Sequence, residues 1–90
     1  MTHDAVLAAF LSALSSLAPE ADLERLPGSA DIRERLDIDS FGMLNLMIAI
    51  EKKLGVTVPE KDYRKLITVD AAVAYLEKRL ATTAAPAPAP

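Results

Sequence analysis

The sequence predicts an all-α protein, a small antiparallel four-helix bundle with three main helices and one short helix. Apolar residues recur at spacings of three and four, and capping residues, glycines and prolines separate these segments. The chain has 90 residues and no cysteine, which predicts one domain stabilised by packing alone. With 51% hydrophobic residues, two Phe, two Tyr and no Trp, that core is aliphatic.

The first helix is predicted from about Asp4 to Leu17. Thr2 is a suitable N-cap, and Pro19 ends the helix. The apolar stripe of this helix comprises Leu7, Phe10, Leu11, Leu14 and Leu17.

The uncharged segment 5–19 raises the question of a signal peptide. No Lys or Arg precedes it, serines interrupt it, and it is too short to span a bilayer. We therefore expect a cytoplasmic protein without membrane insertion.

A long connection, 18–39, precedes the second helix. Loops of this length are uncommon in small domains unless they are attached to the core. This loop is expected to be attached by its apolar residues, with a short helical turn near 22–26 or 31–36, because Pro27-Gly28-Ser29 breaks any longer helix. The apolar anchors are Leu23, Leu26, Ile32, Leu36 and Ile38.

The second helix is predicted from Ser40 to Leu54, with Gly55 as its C-cap. After the extended link 56–58, Pro59 begins a short third helix that ends at about Lys65.

Thr68 caps a fourth helix, which is predicted from Val69 to about Leu80, with Val73, Leu76 and Leu80 as its buried stripe. Residues 1–80 thus form the domain. The Ala/Pro-rich segment 81–90 is expected to be a disordered tail or linker.

The second helix has two apolar faces. Phe41, Leu44 and Ile48 lie nearly opposite the core stripe, which comprises Met43, Leu46, Met47, Ile50 and Leu54. A surface helix normally needs one apolar face. Either the long loop covers the second face through Leu36 and Ile38, or that face contacts other proteins.

Charge and composition exclude several function classes. Residues 1–40 carry eight acids and three bases, whereas residues 41–90 carry five acids and seven bases, a pattern unlike the basic patch of a nucleic-acid-binding protein. One histidine and no cysteine argue against a zinc site, and Asp37 with Asp39 offers too few ligands for calcium. His3 is the only histidine, and no Gly-x-Ser-x-Gly motif is present, so we expect no hydrolase activity.

Ser40 is the residue best placed for chemistry, at the start of the second helix. Either Ser40 is itself the N-cap, or Asp39 is the cap and the Ser40 hydroxyl is free of a capping hydrogen bond. A helix N-terminus favours a phosphate ester at such a hydroxyl, which suggests modification by another enzyme. Asp37 and Asp39 partly oppose that charge and would instead guide a basic partner to the serine.

The run Leu36-Asp37-Ile38-Asp39-Ser40-Phe41 resembles the Asp-Ser-Leu attachment motif of acyl carrier proteins. The resemblance continues through Glu51-Lys52-Lys53-Leu54-Gly55 and Leu66-Ile67-Thr68-Val69, and it covers about residues 4–80. It implies that a magnesium-dependent phosphopantetheinyl transferase adds 4′-phosphopantetheine from coenzyme A to Ser40, next to Asp39. The thiol of that arm then carries acyl groups as thioesters between loading and processing enzymes, and the protein itself catalyses nothing.

The sequence departs from the acidic second helix of fatty-acid carriers. Gly42 and Asn45 stand at positions that are often acidic, Phe41 replaces the usual Leu, and segment 41–55 has a net charge of +1. We therefore expect a monomeric carrier of a specialised lipid or polyketide-type pathway. Its partner surface is predicted to comprise Asp37, Phe41, Leu44, Ile48 and Glu51. The alternatives are an aminoacyl or peptidyl carrier and a helical interaction module without a cofactor.

Overall fold

The computed structural model describes the backbone of residues 2–84 and the side chains of residues 2–81. It contains four α-helices and two 3₁₀ helices. In chain order they are α1 (His3–Leu17), a first 3₁₀ helix (Leu23–Arg25), α2 (Ile32–Arg35), α3 (Ser40–Leu54), a second 3₁₀ helix (Glu60–Leu66) and α4 (Val69–Ala84). The predicted all-α class is confirmed, since the β pairing in the described residues is one isolated bridge between Asp31 and Thr68.

The helix α1 lies against α3 and α4 and is capped as the sequence predicts. Thr2 Oγ1 accepts a hydrogen bond from the Ala5 amide at 3.1 Å, which satisfies one of the unpaired N–H groups at the helix start. The helix ends at Leu17, two residues before Pro19.

The buried face of α1 is rotated from the predicted stripe. Phe10 and Leu14 are fully buried as expected, but Val6 and Ala13 are buried with them. Leu7, Leu11 and Leu17 are half-buried at the margin of the core. The reason is that α1 packs against α3 and α4 at once, so its buried face is set by both neighbours rather than by its own leucine stripe.

Both helical turns suggested for the long loop are present. Leu23–Arg25 forms the first 3₁₀ helix and Ile32–Arg35 forms α2, in which Ile32 is completely buried. Backbone hydrogen bonds attach the loop to the residue before Thr68 and to the first turn of α4: the Ile32 amide donates to Ile67 O at 2.8 Å, and the Asp70 amide donates to Gly28 O at 3.0 Å. The loop therefore has a defined path despite its length.

The bounds of α3 agree with the sequence prediction. Its C-cap Gly55 has φ of +71°, a left-handed conformation that favours glycine, and donates its N–H to Glu51 O at 2.8 Å. The short third helix is present as a 3₁₀ helix rather than an α-helix.

The helix α4 starts where the sequence predicts and ends later. Thr68 Oγ1 caps it by accepting from the Ala71 amide at 3.1 Å. The helix continues to Ala84, so the predicted end at Leu80 is wrong by four residues, and residues 81–84 of the expected tail are helical. The first proline after Leu80 is Pro86, which disfavours helix only from its preceding residue onward. The remaining tail residues, 85–90, lie outside the described part of the chain.

One continuous apolar core lies between α1, α3 and α4. Its fully buried large side chains are Val6, Phe10, Leu14, Ile32, Leu46, Ile50, Leu66 and Leu76. Phe10 is the one aromatic residue in that set, as the aliphatic composition predicts. Within the described residues, no helix is both long and apolar enough to cross a membrane.

A polar network connects the link after α3 to the second 3₁₀ helix and α4. The Tyr75 hydroxyl donates to Asp62 Oδ2 at 2.6 Å, and Arg79 donates to the Tyr75 hydroxyl at 2.8 Å and to Thr57 O at 3.0 Å. The hydrogen bond from Tyr75 lowers the pKa of Asp62, while burial and Asp62 raise the pKa of Tyr75. The network orients the 3₁₀ helix against α4 at the margin of the apolar core.

His3 links the start of α1 to α4. Its Nδ1 lies 2.7 Å from Glu77 Oε1, and the hydrogen bond to that carboxylate raises the pKa of His3 above its ordinary value of 6.5. His3 is therefore a structural contact between two helices.

The His3–Glu77 pair predicts a pH dependence of stability. Folding raises the pKa of His3. The contribution of the His3–Glu77 pair to the free energy of unfolding is therefore fully present below pH 6.5, and it is lost as the pH rises through the pKa of His3 in the folded protein. The free energy of unfolding, measured by urea denaturation across this range, should fall with rising pH. His3→Gln should remove that fall, and Glu77→Gln should do the same. An unchanged slope in both variants would contradict the assignment.

Candidate functional site

Ser40 is the first residue of α3, and Asp39 is the N-cap. Asp39 Oδ1 accepts a hydrogen bond from the Gly42 amide at 2.8 Å, and Asp39 O accepts from the Met43 amide at 2.9 Å. Of the two alternatives left open by the sequence, the structure supports Asp39 as the cap. The Ser40 side chain is exposed, and its hydroxyl has no hydrogen-bond partner among the described residues. It is therefore accessible to another molecule.

The loop reaches Ser40 through a tight reversal at Asp37. Asp37 has φ of +54°, a left-handed conformation that aspartate tolerates better than most residues. The Ile38 amide then donates to Arg33 O at 2.9 Å. The Ile38 side chain packs over Gly42, where an added Cβ would lie 2.6 Å from Ile38 Cγ2. The absence of a side chain at Gly42 thus lets the loop pack closely on the first turn of α3.

Two open grooves flank this first turn. The larger, about 870 Å³, lies between α3, α2 and the second 3₁₀ helix, and we call it the Ser40 groove. Its walls include Ile38, Ser40, Met43, Tyr63, Arg64 and Ile67. The smaller groove, about 570 Å³, lies between α3 and the end of α1 and does not include Ser40. Ser40 thus faces a depression with both apolar and polar walls.

The second apolar face of α3 is exposed to solvent. The exposed fractions are 77% for Phe41, 44% for Leu44 and 42% for Ile48, and we call these three residues the apolar ridge. Leu36 and Ile38 are half-buried against the core. Phe41 is thus largely uncovered, whereas Leu44 and Ile48 are partly covered, an intermediate outcome that is compatible with both interpretations of this face.

The remaining predicted partner residues lie at opposite ends of the ridge. Asp37 is exposed in the loop before Ser40. Glu51 is exposed near the end of α3, about 16 Å from Ser40 along the helix axis at 1.5 Å per residue. Glu51 also accepts a hydrogen bond from the Thr57 hydroxyl at 3.1 Å. Asp37 therefore lies near Ser40, three residues before it in the chain, whereas Glu51 lies at the other end of the helix.

The charged walls of the Ser40 groove differ in their pairing. Arg33 donates to both carboxylate oxygens of Asp31, at 3.3 and 3.0 Å, and these hydrogen bonds lower the pKa of Asp31. Arg64 has no ion-pair or hydrogen-bond partner among the described residues, and the same holds for the half-buried Tyr63 hydroxyl. Of the two arginines that line this groove, Arg64 is thus the one without an ion pair or hydrogen bond in the described part of the chain.

Sequence reasoning did not identify Arg33, Tyr63 and Arg64 as site residues. They lie in short helices that are separated from Ser40 along the chain, and helical periodicity gives no information on which short segments meet. The paired hydrogen bonds at Ile67 and Asp70, which fix the loop beside the second 3₁₀ helix, depend on the tertiary fold. The sequence motif around Ser40 was the only local indication of a site.

Comparison with known proteins identifies the family to which the chain is similar. The family described as "Phosphopantetheine attachment site" matches residues 6–76. An acyl carrier protein of Renibacterium salmoninarum is 36% identical over 71 residues, covering 78% of this chain and 82% of the relative. An acyl carrier protein of Campylobacter hominis is 34% identical over 62 residues, covering 69% and 73%. A meromycolate extension acyl carrier protein of Mycolicibacterium aurum is 44% identical over 43 residues, covering 48% and 44%.

The fold and the comparisons define a small helical carrier of a covalently attached prosthetic group. The chain belongs to the acyl carrier protein family. Its cofactor is 4′-phosphopantetheine, and its function is to carry acyl groups on that cofactor.

The residues around Ser40 fit such a group. Attachment requires a hydroxyl that a transferase can reach, and the Ser40 hydroxyl is exposed and without a partner in the described part of the chain. The adjoining groove offers apolar and polar walls to an arm that contains a phosphate, amides and a thiol.

Removal of the cap should cost stability without removing Ser40. In Asp39→Ala the Gly42 amide loses its acceptor, and we expect the free energy of unfolding to fall by about 1 kcal/mol. Asp39→Asn is the matched control, because asparagine caps helices about as well as aspartate. Urea denaturation followed by circular dichroism measures both. Equal stability of the alanine variant and the wild type would show that Asp39 does not stabilise α3.

Proposed function

We propose that Ser40 bears 4′-phosphopantetheine. In the transfer, Ser40 Oγ gives its proton to a base of the transferase and forms a bond to the phosphorus of the pantetheine phosphate. The pyrophosphate bond of coenzyme A breaks at that phosphorus, and adenosine 3′,5′-bisphosphate leaves. The free Ser40 hydroxyl on the first turn of α3 is the observation that carries this proposal. The Asp39 cap supports it, because the hydrogen bond to Gly42 does not require the serine oxygen.

The arm would supply the thiol that this cysteine-free chain lacks, and the acyl group is held there as a thioester. The chain's own residues present the serine, leave space for the arm and offer a surface to the enzymes that load and process the cargo. A phosphopantetheinyl transferase is the first of these partners. Catalysis would belong to the partners.

The proposed partner surface is the apolar ridge with Asp37 and Glu51 at its two ends. The three ridge side chains are exposed on the helix that begins at Ser40, so a partner seated there lies beside the attachment point. Exposed apolar side chains in one row are typical of contact surfaces. The ridge carries no charge of its own, which favours recognition by shape and apolar contact.

We further propose that the carrier serves a specialised lipid or polyketide-type pathway. Two observations support this: α3 with its cap Gly55 has a net charge of +1 after Ser40, and similar chains include meromycolate extension carriers. A surface with an uncharged centre, on a helix of net charge +1, would discriminate against partners that select carriers by an acidic second helix.

Intact mass spectrometry tests the attachment residue. Incubation with coenzyme A and a broad-specificity phosphopantetheinyl transferase should add one phosphopantetheinyl unit, because the Ser40 hydroxyl is accessible. Ser40→Ala should add none, and Ser29→Ala, which removes an exposed loop serine, should add one. Addition to the Ser40→Ala protein would assign the arm to another residue.

Kinetics of the same transfer test the ridge. Phe41→Ala should raise the KM for the carrier about tenfold, which corresponds to the loss of roughly 1.4 kcal/mol of contact energy. Lys52→Gln, on the same helix, is the control and should change KM little. Added salt should also have little effect, since apolar contacts are not screened. A KM that rises with salt and with Lys52→Gln, but not with Phe41→Ala, would indicate recognition by charge.

A further inference from the structure

We infer that Arg64 binds the phosphate of the prosthetic arm and holds the arm in the Ser40 groove. This inference rests on the proposed attachment at Ser40. It assigns a role to the second 3₁₀ helix (Glu60–Leu66), which the attachment chemistry alone does not use.

Geometry restricts where the phosphate can lie. It is bonded directly to Ser40 Oγ, so it stays at the end of the groove where Ser40 forms the wall. Arg64 borders the same groove from the facing 3₁₀ helix, and its side chain is exposed. An arginine side chain is long, and its planar guanidinium matches phosphate oxygens with two parallel hydrogen bonds.

Two arginines line the groove, Arg33 and Arg64, and their pairing favours Arg64 as the residue that binds the phosphate. Arg33 also borders the groove, but its guanidinium is bound to Asp31 by two hydrogen bonds. Arg64 has no such partner within the described residues. The guanidinium of Arg64 is therefore available to bind a phosphate in this groove.

The carboxylates that line the groove would repel the phosphate, so its binding there depends on Arg64. Four acidic residues contribute to its walls: Asp31, Glu34, Asp39 and Glu60. Asp31 is neutralised by Arg33, and Asp39 accepts from the Gly42 amide, but neither Glu34 nor Glu60 forms an ion pair or side-chain hydrogen bond among the described residues. These carboxylates repel a phosphate, so Arg64 provides the attraction that keeps the arm inside the groove.

Tyr63 precedes Arg64 in the same 3₁₀ helix, and it also lines the Ser40 groove. Tyr63 is half-buried, and its hydroxyl has no hydrogen-bond partner in the described part of the chain. A phenolic hydroxyl both donates and accepts, so it suits an amide of the pantetheine that follows the phosphate.

Phosphorus NMR of the loaded carrier tests the inference. In the wild type, a phosphate held by Arg64 should relax at the rate set by the tumbling of the whole protein. In Arg64→Gln the line should narrow, because the arm moves independently. Lys61→Gln removes a charge from the same 3₁₀ helix at an exposed residue outside the groove, and it should keep the broad line. Arg64→Lys should give partial recovery, since lysine keeps the charge but not the paired hydrogen bonds.

The Arg64 Nε–H resonance gives a second readout, because it should shift when the wild-type protein is converted from the apo to the loaded form. Mass spectrometry of each sample separates the two proposals. If the arm is added at Ser40 and the phosphorus line is equally narrow in the wild type and Arg64→Gln, the role of Arg64 is wrong and the attachment stands. If no arm is added at Ser40, both proposals are wrong.

Discussion

The hydrogen bond between the Gly42 amide and the Asp39 carboxylate determines what the first residue of α3 can do. A helix start leaves several N–H groups unpaired, and a serine in this region is commonly used to satisfy one of them. Here the residue before the serine provides the acceptor. The Ser40 hydroxyl therefore contributes little to helix stability and can form an ester without unfolding the first turn.

The position of that cap depends on the long loop. Ile32 is buried in the core, and its amide bonds to Ile67, which fixes α2 beside the second 3₁₀ helix. The left-handed Asp37 then turns the chain, and Ile38 packs over Gly42. A side chain at Gly42 would displace Ile38, so the missing acidic residue at this position has a steric explanation as well as an electrostatic effect. The same loop forms one wall of the Ser40 groove.

Local signals determined which parts of the fold could be predicted. Thr2 with Pro19 defined α1, and Gly55 defined the end of α3, because caps and breakers act within a few residues. The end of α4 was predicted too early, since Ala81 and the residues after it contain no breaker before Pro86. The rotation of the buried face of α1 was not predictable from one helix, because it depends on packing against α3 and α4 together.

The site was predictable only where the chain itself carries the chemistry. Ser40 and Asp39 are adjacent and form a recognisable motif, although periodicity left open which of them is the cap. Whether the ridge is covered depended on the path of Leu36 and Ile38, which sequence spacing does not determine. Tyr63 and Arg64 approach Ser40 through tertiary contacts alone, so no local pattern predicts their part in the groove.

The ridge and the groove share residues, and this connects partner binding to the position of the arm. Phe41 and Leu44 belong to the exposed ridge, and both also line the Ser40 groove, whereas Ile48 belongs to the ridge alone. A partner that covered Phe41 and Leu44 would therefore contact the rim of the groove and would exclude water from it. Electrostatic interactions strengthen when water is excluded, so the balance between Arg64 and the nearby carboxylates changes on docking. If the ridge is the partner surface, as proposed, docking beside Ser40 thus alters the electrostatic environment of the arm.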